Sequence, residues 1–105
     1  MPKLLSESQV QQFLDQHKEW SLDGRELVRT YELPAFLDAI AFVRRVGEVA
    51  EANDHHPDID IRYRKVTLRL TTHSKGGLTE LDPKVAVDCD AAFRLKSPAV
   101  SSPRP

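Results

Sequence analysis

Residues 58–70, DIDIRYRKVTLRL, change the parity of their apolar positions halfway along. Ile59, Ile61 and Tyr63 alternate on odd numbers; Val66, Leu68 and Leu70 alternate on even ones. Side chains switch faces at every strand residue, so a change of parity demands a turn or bulge, placed here near Arg64-Lys65. The stretch reads as two antiparallel strands, with Tyr63 expected to pack on the sheet. On the second strand Thr67, Arg69, Thr71 and His73 share the face opposite the leucines, and Ser74 to Gly77 form a loop.

Upstream of this hairpin lies a helix. Pro34 suits a first helical turn, where its missing N–H costs nothing. Phe36, Ile40, Val43, Val46 or Gly47, and Ala50 then recur at helical spacing, with Arg44, Arg45, Glu48 and Glu51 off that stripe. Asn53 or Asp54 can supply the left-handed residue that ends it, and Pro57 prevents continuation. His55 and His56 therefore fall just past a helix C-terminus.

Further out, Ser6 and Gln9 form a capping box with Leu5 and Val10 as its staple, opening a helix to about His17 or Lys18 that carries Val10, Phe13 and Leu14. His17 is read as structural. Trp20 to Leu22 and Glu26 to Leu33 flank Asp23-Gly24, a strong signal for a two-residue hairpin turn. Downstream, Thr79 with Asp82 resembles a capping box, with Asp82-Pro83 as the other candidate cap. Val85, Cys89, Ala92, Phe93 and Lys96 mark one face of a last helix, where Cys89 reads as core filling. The order is α-β-β-α-β-β-α. It implies an α+β, two-layer domain over residues 1–96: a four-stranded antiparallel sheet with helices packed on one face and edges open to pairing. Residues 97–105, rich in proline and serine, read as a disordered tail.

Composition narrows the function classes. The 105 residues carry a net charge of −1 with 30 % charged and 40 % apolar residues, without a basic run to engage nucleic acid or an apolar stretch to span a membrane. A single cysteine allows neither an intramolecular disulfide nor a cysteine-based zinc site. The first residues lack the apolar core of a secretion signal, so the cytoplasm is the expected compartment.

Three of the four histidines, His55, His56 and His73, fall between Glu51 and Asp82, with Asp54, Asp58 and Glu80 nearby. Histidine alone has an ordinary pKa near neutrality, so such a cluster among acids is a place for proton transfer. A helix C-terminus and neighbouring carboxylates both favour imidazolium. Chelation by His55 and His56 together is awkward, because neighbours on an extended backbone point apart, and no HxH or HxxxH spacing occurs. No metal is expected. The residues by themselves leave two readings open: an acid–base pocket formed by the three histidines, or an interaction module in which they cap a helix and a strand.

The spacing Glu51, three residues, His55-His56-Pro57, five residues, Tyr63, nine residues, His73, eight residues, Asp82 resembles the signature of pterin-4a-carbinolamine dehydratases, also known as dimerisation cofactors of a homeodomain transcription factor. The Gly77-Leu78-Thr79 run and the element order fit too, and the resemblance covers about residues 4–96. It implies a hydro-lyase that converts 4a-hydroxytetrahydrobiopterin to quinonoid dihydropterin, regenerating the cofactor of aromatic amino acid hydroxylases without any cofactor or metal of its own. It implies His55 and His73 as the acid–base pair and His56, Pro57, Glu51 and Asp82 as substrate-binding positions, the two carboxylates orienting imidazoles. It implies a homodimer or homotetramer. Some relatives instead serve as assembly factors or coactivators, which is the alternative function. Ile59 stands where vertebrate members carry tryptophan on the pocket wall; losing aromatic stacking there, worth ~0.5–1.5 kcal/mol, bears on which pterin is preferred.

Overall fold

The computed structural model describes residues 3–95, and the tail expected over 97–105, like Lys96, lies outside them. Three helices and four strands follow in order: α1 (Glu7–Gln16), β1 (Ser21–Asp23), β2 (Glu26–Glu32), α2 (Phe36–Asn53), β3 (Asp58–Arg62), β4 (Lys65–Leu70) and α3 (Leu81–Arg94), with a single 3-10 turn at His73–Lys75. The strands form one antiparallel sheet in the order β1-β2-β4-β3, as the α+β reading expects.

Alternation decides which face is covered. Leu27 and Tyr31 on β2, Leu33 just beyond it, and Val66, Leu68 and Leu70 on β4 are buried against the helices. Each such aliphatic side chain contributes roughly 1.5–3 kcal/mol by leaving water. Tyr31, Phe42 and Phe93 form an aromatic centre, with ring centroids 4.7 Å apart for Tyr31–Phe42 and 4.9 Å for Tyr31–Phe93. Ile59 and Ile61 face the same side from β3, an edge strand, and stay partly exposed.

The Ser6–Gln9 capping box forms in both directions, at 3.1 Å and 2.8 Å. His17 caps α1 and stacks on Phe13 with centroids 4.4 Å apart, a structural placement. Both hairpin turns sit one residue away from where the sequence suggests. Asp23 pairs with Glu26, so the central residues are Gly24-Arg25, with Gly24 at φ 63°. This register sets Leu22 opposite Leu27, an apolar cross-strand pair that a turn centred on Asp23-Gly24 would break. Likewise Arg62 pairs with Lys65, leaving Tyr63-Arg64 as the loop.

Tyr63 does not pack on the sheet. It sits at the loop tip, 71 % exposed, with φ 55°. That left-handed conformation costs a bulky L-residue ~1–2 kcal/mol, whereas asparagine tolerates it. Tyr63→Asn is therefore expected to raise stability by roughly 0.5–1 kcal/mol, read as a higher urea midpoint at constant m-value.

The buried face of α2 includes Val46 and Ala50 of the expected stripe but departs from it in the first half of the helix. Ala39, Phe42, Val46 and Ala50 are buried, whereas Phe36 and Ile40 remain 46 % and 41 % exposed. The helix carries apolar residues on two adjacent stripes. The one with alanines permits close approach to α3 and β4, so the bulkier stripe is left outside.

Candidate active site

Two chain ends meet where the histidines lie. Asp54 ends α2 in the left-handed conformation, φ 48° and ψ 43°, and the His55 N–H donates to the Ala50 carbonyl at 3.1 Å. Pro57 is buried directly before β3. His55, three residues before β3, and Thr72, two residues beyond β4, both reach the Asp82 carboxylate. The first turn of α3 then delivers Asp82 between them.

Asp82 is fully buried and takes three hydrogen bonds. His55 Nε2 lies 2.6 Å from its Oδ1, the Thr72 hydroxyl donates to Oδ2 at 2.8 Å, and the Thr79 N–H donates to Oδ2 at 2.9 Å. The expected capping box thus forms only by half. Asp82 reaches back to the Thr79 N–H, but the helix cap falls at Glu80, which makes no side-chain cap bond. Nor is Asp82 itself the cap. Its carboxylate turns inward because a buried carboxylate needs donors, and Thr72, Thr79 and His55 supply them. The His55 side chain is 11 % exposed, a partly shielded imidazole with one nitrogen committed to Asp82.

His56 is bonded to Glu51, Nε2 to Oε2 at 2.6 Å, but both side chains are largely exposed. In that setting the pair orients the ring and adds little stability, typically under ~1 kcal/mol. His73 follows Thr72 immediately. It opens the 3-10 turn, three residues beyond the end of β4, and lines an open cleft of about 520 Å³ with Asp23, Arg25, Glu26, Thr71 and Gly76. His55 and His56 are not among the residues that line that cleft. Among the described residues, no group of three or more His, Cys, Asp or Glu side chains is placed to hold a metal ion.

Two features escape a sequence reading built on caps and stripes. One is Thr72: Thr71-Thr72-His73 gives no sign of which hydroxyl is buried until the strand is registered against Asp82. The other is Asp90, buried on α3, which accepts from Trp20 Nε1 at 2.9 Å, from Arg29 Nη1 at 2.8 Å and from the Tyr31 hydroxyl. Parity does place Arg29 on the face of Leu27 and Tyr31, and that signal could have flagged a buried cation. Burial first, and then Asp90, push the Tyr31 hydroxyl far above the usual tyrosine range. Beside it, burial and then Asp90 and Asp88 push the Cys89 thiol up to about 12. Iodoacetamide at neutral pH is therefore expected to label Cys89 roughly three orders of magnitude more slowly in the folded protein than in urea, as mass spectrometry would show.

The chain has counterparts among known proteins. The sequence profile of the family described as Pterin 4 alpha carbinolamine dehydratase matches residues 3–92. A Chloroflexus aurantiacus protein, whose name assigns it provisionally to the pterin-4-alpha-carbinolamine dehydratases, is 53 % identical over 90 residues, covering 86 % of this chain and 96 % of the relative. A similarly named protein of Mycobacterium sp. strain KMS is 51 % identical over 87 residues, covering 83 % and 93 %. The crystal structure of a transcriptional coactivator/pterin dehydratase from Brucella melitensis superposes with a TM-score of 0.81 at 35 % identity, over 86 % of this chain and 98 % of that one. A pterin dehydratase-like RuBisCO assembly factor of the alpha-carboxysome shares the fold, with a TM-score of 0.61 at 22 % identity over 72 % and 90 % of the two chains. The chain belongs to the pterin-4α-carbinolamine dehydratase family.

Proposed function

We propose that this protein dehydrates 4a-hydroxytetrahydrobiopterin to quinonoid dihydropterin by histidine acid–base catalysis. The observation that carries this reading is the buried Asp82 carboxylate bonded both to His55 and to Thr72, the residue that precedes His73. Loss of water from C4a needs an acid at the departing oxygen and a base for a ring N–H proton. Two imidazoles with free nitrogens supply both, and each such group contributes about 10²–10⁴-fold. His55, ordered and shielded, and His73, exposed on the 3-10 turn that follows β4, form the pair. His56 and Glu51 hold the substrate from the open side, and the buried Pro57 fixes the backbone between them. Ile59, half-exposed on the edge strand, gives an aliphatic contact.

After two-electron reduction by a separate enzyme the product serves hydroxylases that consume tetrahydropterin, in the cytoplasm; no helix among the described residues is long and apolar enough to cross a membrane. The exposed apolar stripe of α2, with Phe36, Leu37 and Ile40, and the open β3 edge support association of identical chains as a dimer or tetramer. The same stripe also suits the second reading, a coactivator or assembly module like those named among the structural relatives. The test is the decay of freshly generated 4a-hydroxytetrahydrobiopterin, followed by absorbance. Acceleration well above the buffer rate is expected. A folded protein that leaves the decay unchanged would sink the dehydratase reading and favour the binding module.

A further inference from the structure

The donors around Asp82 can be counted to closure. The Thr72 hydroxyl has one hydrogen, and Asp82 Oδ2 takes it at 2.8 Å. Thr72 and Thr79 hydroxyl oxygens lie 2.9 Å apart, so the hydrogen between them must come from Thr79. The Thr79 oxygen in turn accepts from the Leu81 N–H at 3.3 Å. The Thr79 N–H also donates to Oδ2, which is then occupied twice. Oδ1 is left facing His55 Nε2 at 2.6 Å, and a carboxylate only accepts, so Nε2 must carry hydrogen. Every hydrogen in the chain from Thr79 through Thr72 and Asp82 to His55 has one allowed position.

We infer that Thr72 and Thr79 are positioning residues, whose hydroxyl chain aims the Asp82 carboxylate so that His55 is held as the Nε2–H tautomer and exchanges the substrate proton at Nδ1. The second half rests on the dehydratase reading; the first does not. Both hydroxyls are buried, Thr72 at 6 % exposure and Thr79 at 0 %, so water cannot replace them as donors. Nδ1 makes no hydrogen bond among the described residues, and it is the ring atom left for a ligand. The chain's charged and titratable neighbours are engaged elsewhere or outward. Glu51 bonds His56, while Asp54 and Glu80 are exposed and bond neither His55 nor Asp82, and His73 lines a cleft with Asp23 and Glu26.

Tautomers are read directly by long-range 1H–15N correlation spectra of the histidine rings, without any substrate. In wild-type protein His55 is expected as Nε2–H. In Asp82→Asn the tautomer is expected to invert: the Thr72 O–H and Thr79 N–H claim the amide oxygen, so the amide NH2 faces Nε2 and forces the ring proton to Nδ1. Adding Thr72→Val to Asp82→Asn leaves one donor to orient the amide, and the inversion becomes a mixture. Thr72→Val alone is expected to keep Nε2–H, since a carboxylate only accepts, and to lower kcat about tenfold at unchanged KM, the share of a lost hydrogen bond to a charged group, while Thr72→Ser restores kcat. A wild-type His55 protonated only at Nδ1, an Asp82→Asn protein that keeps Nε2–H, or an Asp82→Asn/Thr72→Val protein that inverts as fully as Asp82→Asn would each overturn the inference. If the tautomers behave as expected but the wild-type protein does not accelerate carbinolamine decay, the positioning chain stands and only the dehydratase reading falls.

Discussion

His55→Ala is expected to lower kcat for carbinolamine dehydration by roughly 10²–10⁴-fold while leaving KM within a small factor. The imidazole removed is the one group that is at once shielded, hydrogen-bonded to a fully buried carboxylate and equipped with a free nitrogen. A positioned acid or base acts only while the proton moves, so its loss falls on kcat. The fold should survive, because His55 adds no apolar core area and the backbone N–H that caps α2 is kept. Removing the imidazole does leave Asp82 with two donors in place of three, which costs about 1–3 kcal/mol of stability. Activity must therefore be measured well below the unfolding transition. His73→Ala should cost ~10²-fold, near the low end, since an exposed ring in an open cleft is less rigidly aimed. His56→Ala should mainly raise KM, because its partner Glu51 lies in solvent and aims the ring without burying it. Stopped-flow absorbance separates these outcomes. A His55→Ala protein within threefold of wild type would remove His55 from the chemistry, whatever its hydrogen bonds.

What the sequence made legible follows from how local each signal is. The parity change between Ile61 and Val66 and the Ser6–Gln9 box are properties of a few adjacent residues, and both correspond to elements in the structure. The exact turn residues were less legible. Tyr63 accepts a left-handed φ because pairing along β3 and β4 outweighs the local penalty, and no local rule encodes that balance. The stripe of α2 was ambiguous for another reason: periodicity shows that a helix is apolar on two neighbouring stripes, but only the shape of the sheet and α3 chooses between them. At the site, a motif spacing could bring Asp82 and His55 together in the argument, but not Thr72, whose role depends on three elements converging. Asp90 was invisible for the same reason. A carboxylate in a helix reads as solvent-facing until three donors, distant in sequence, are found pointing at it.

That Asp90 cluster carries the second large effect. Asp90→Ala is expected to destabilise the fold by about 3–5 kcal/mol, the range for removing one partner of a buried ion pair. Arg29 keeps its charge with a side chain only 15 % exposed, lying 4.3 Å from the Tyr31 ring centroid, and its Nε already has no partner among the described residues. Trp20 and Tyr31 lose their acceptor as well. Asp90→Asn should be nearly as costly, because all three neighbours donate and an amide NH2 would confront at least one of them. Combining Asp90→Ala with Arg29→Met should recover part of the loss, since the stranded charge leaves with the arginine. Against a typical total of about 5–15 kcal/mol, the single change is a large fraction, and the urea midpoint should fall steeply at constant m-value. Catalysis offers the control. Asp82 stands on the same helix eight residues earlier, about 12 Å away along its axis, and its donors come from Thr72, Thr79 and His55 rather than from the Asp90 cluster. Asp90→Ala should therefore reduce activity only in proportion to the folded fraction. If turnover per folded molecule dropped as well, the two ends of α3 would be mechanically coupled, and Asp90 would be part of the machinery that aims Asp82.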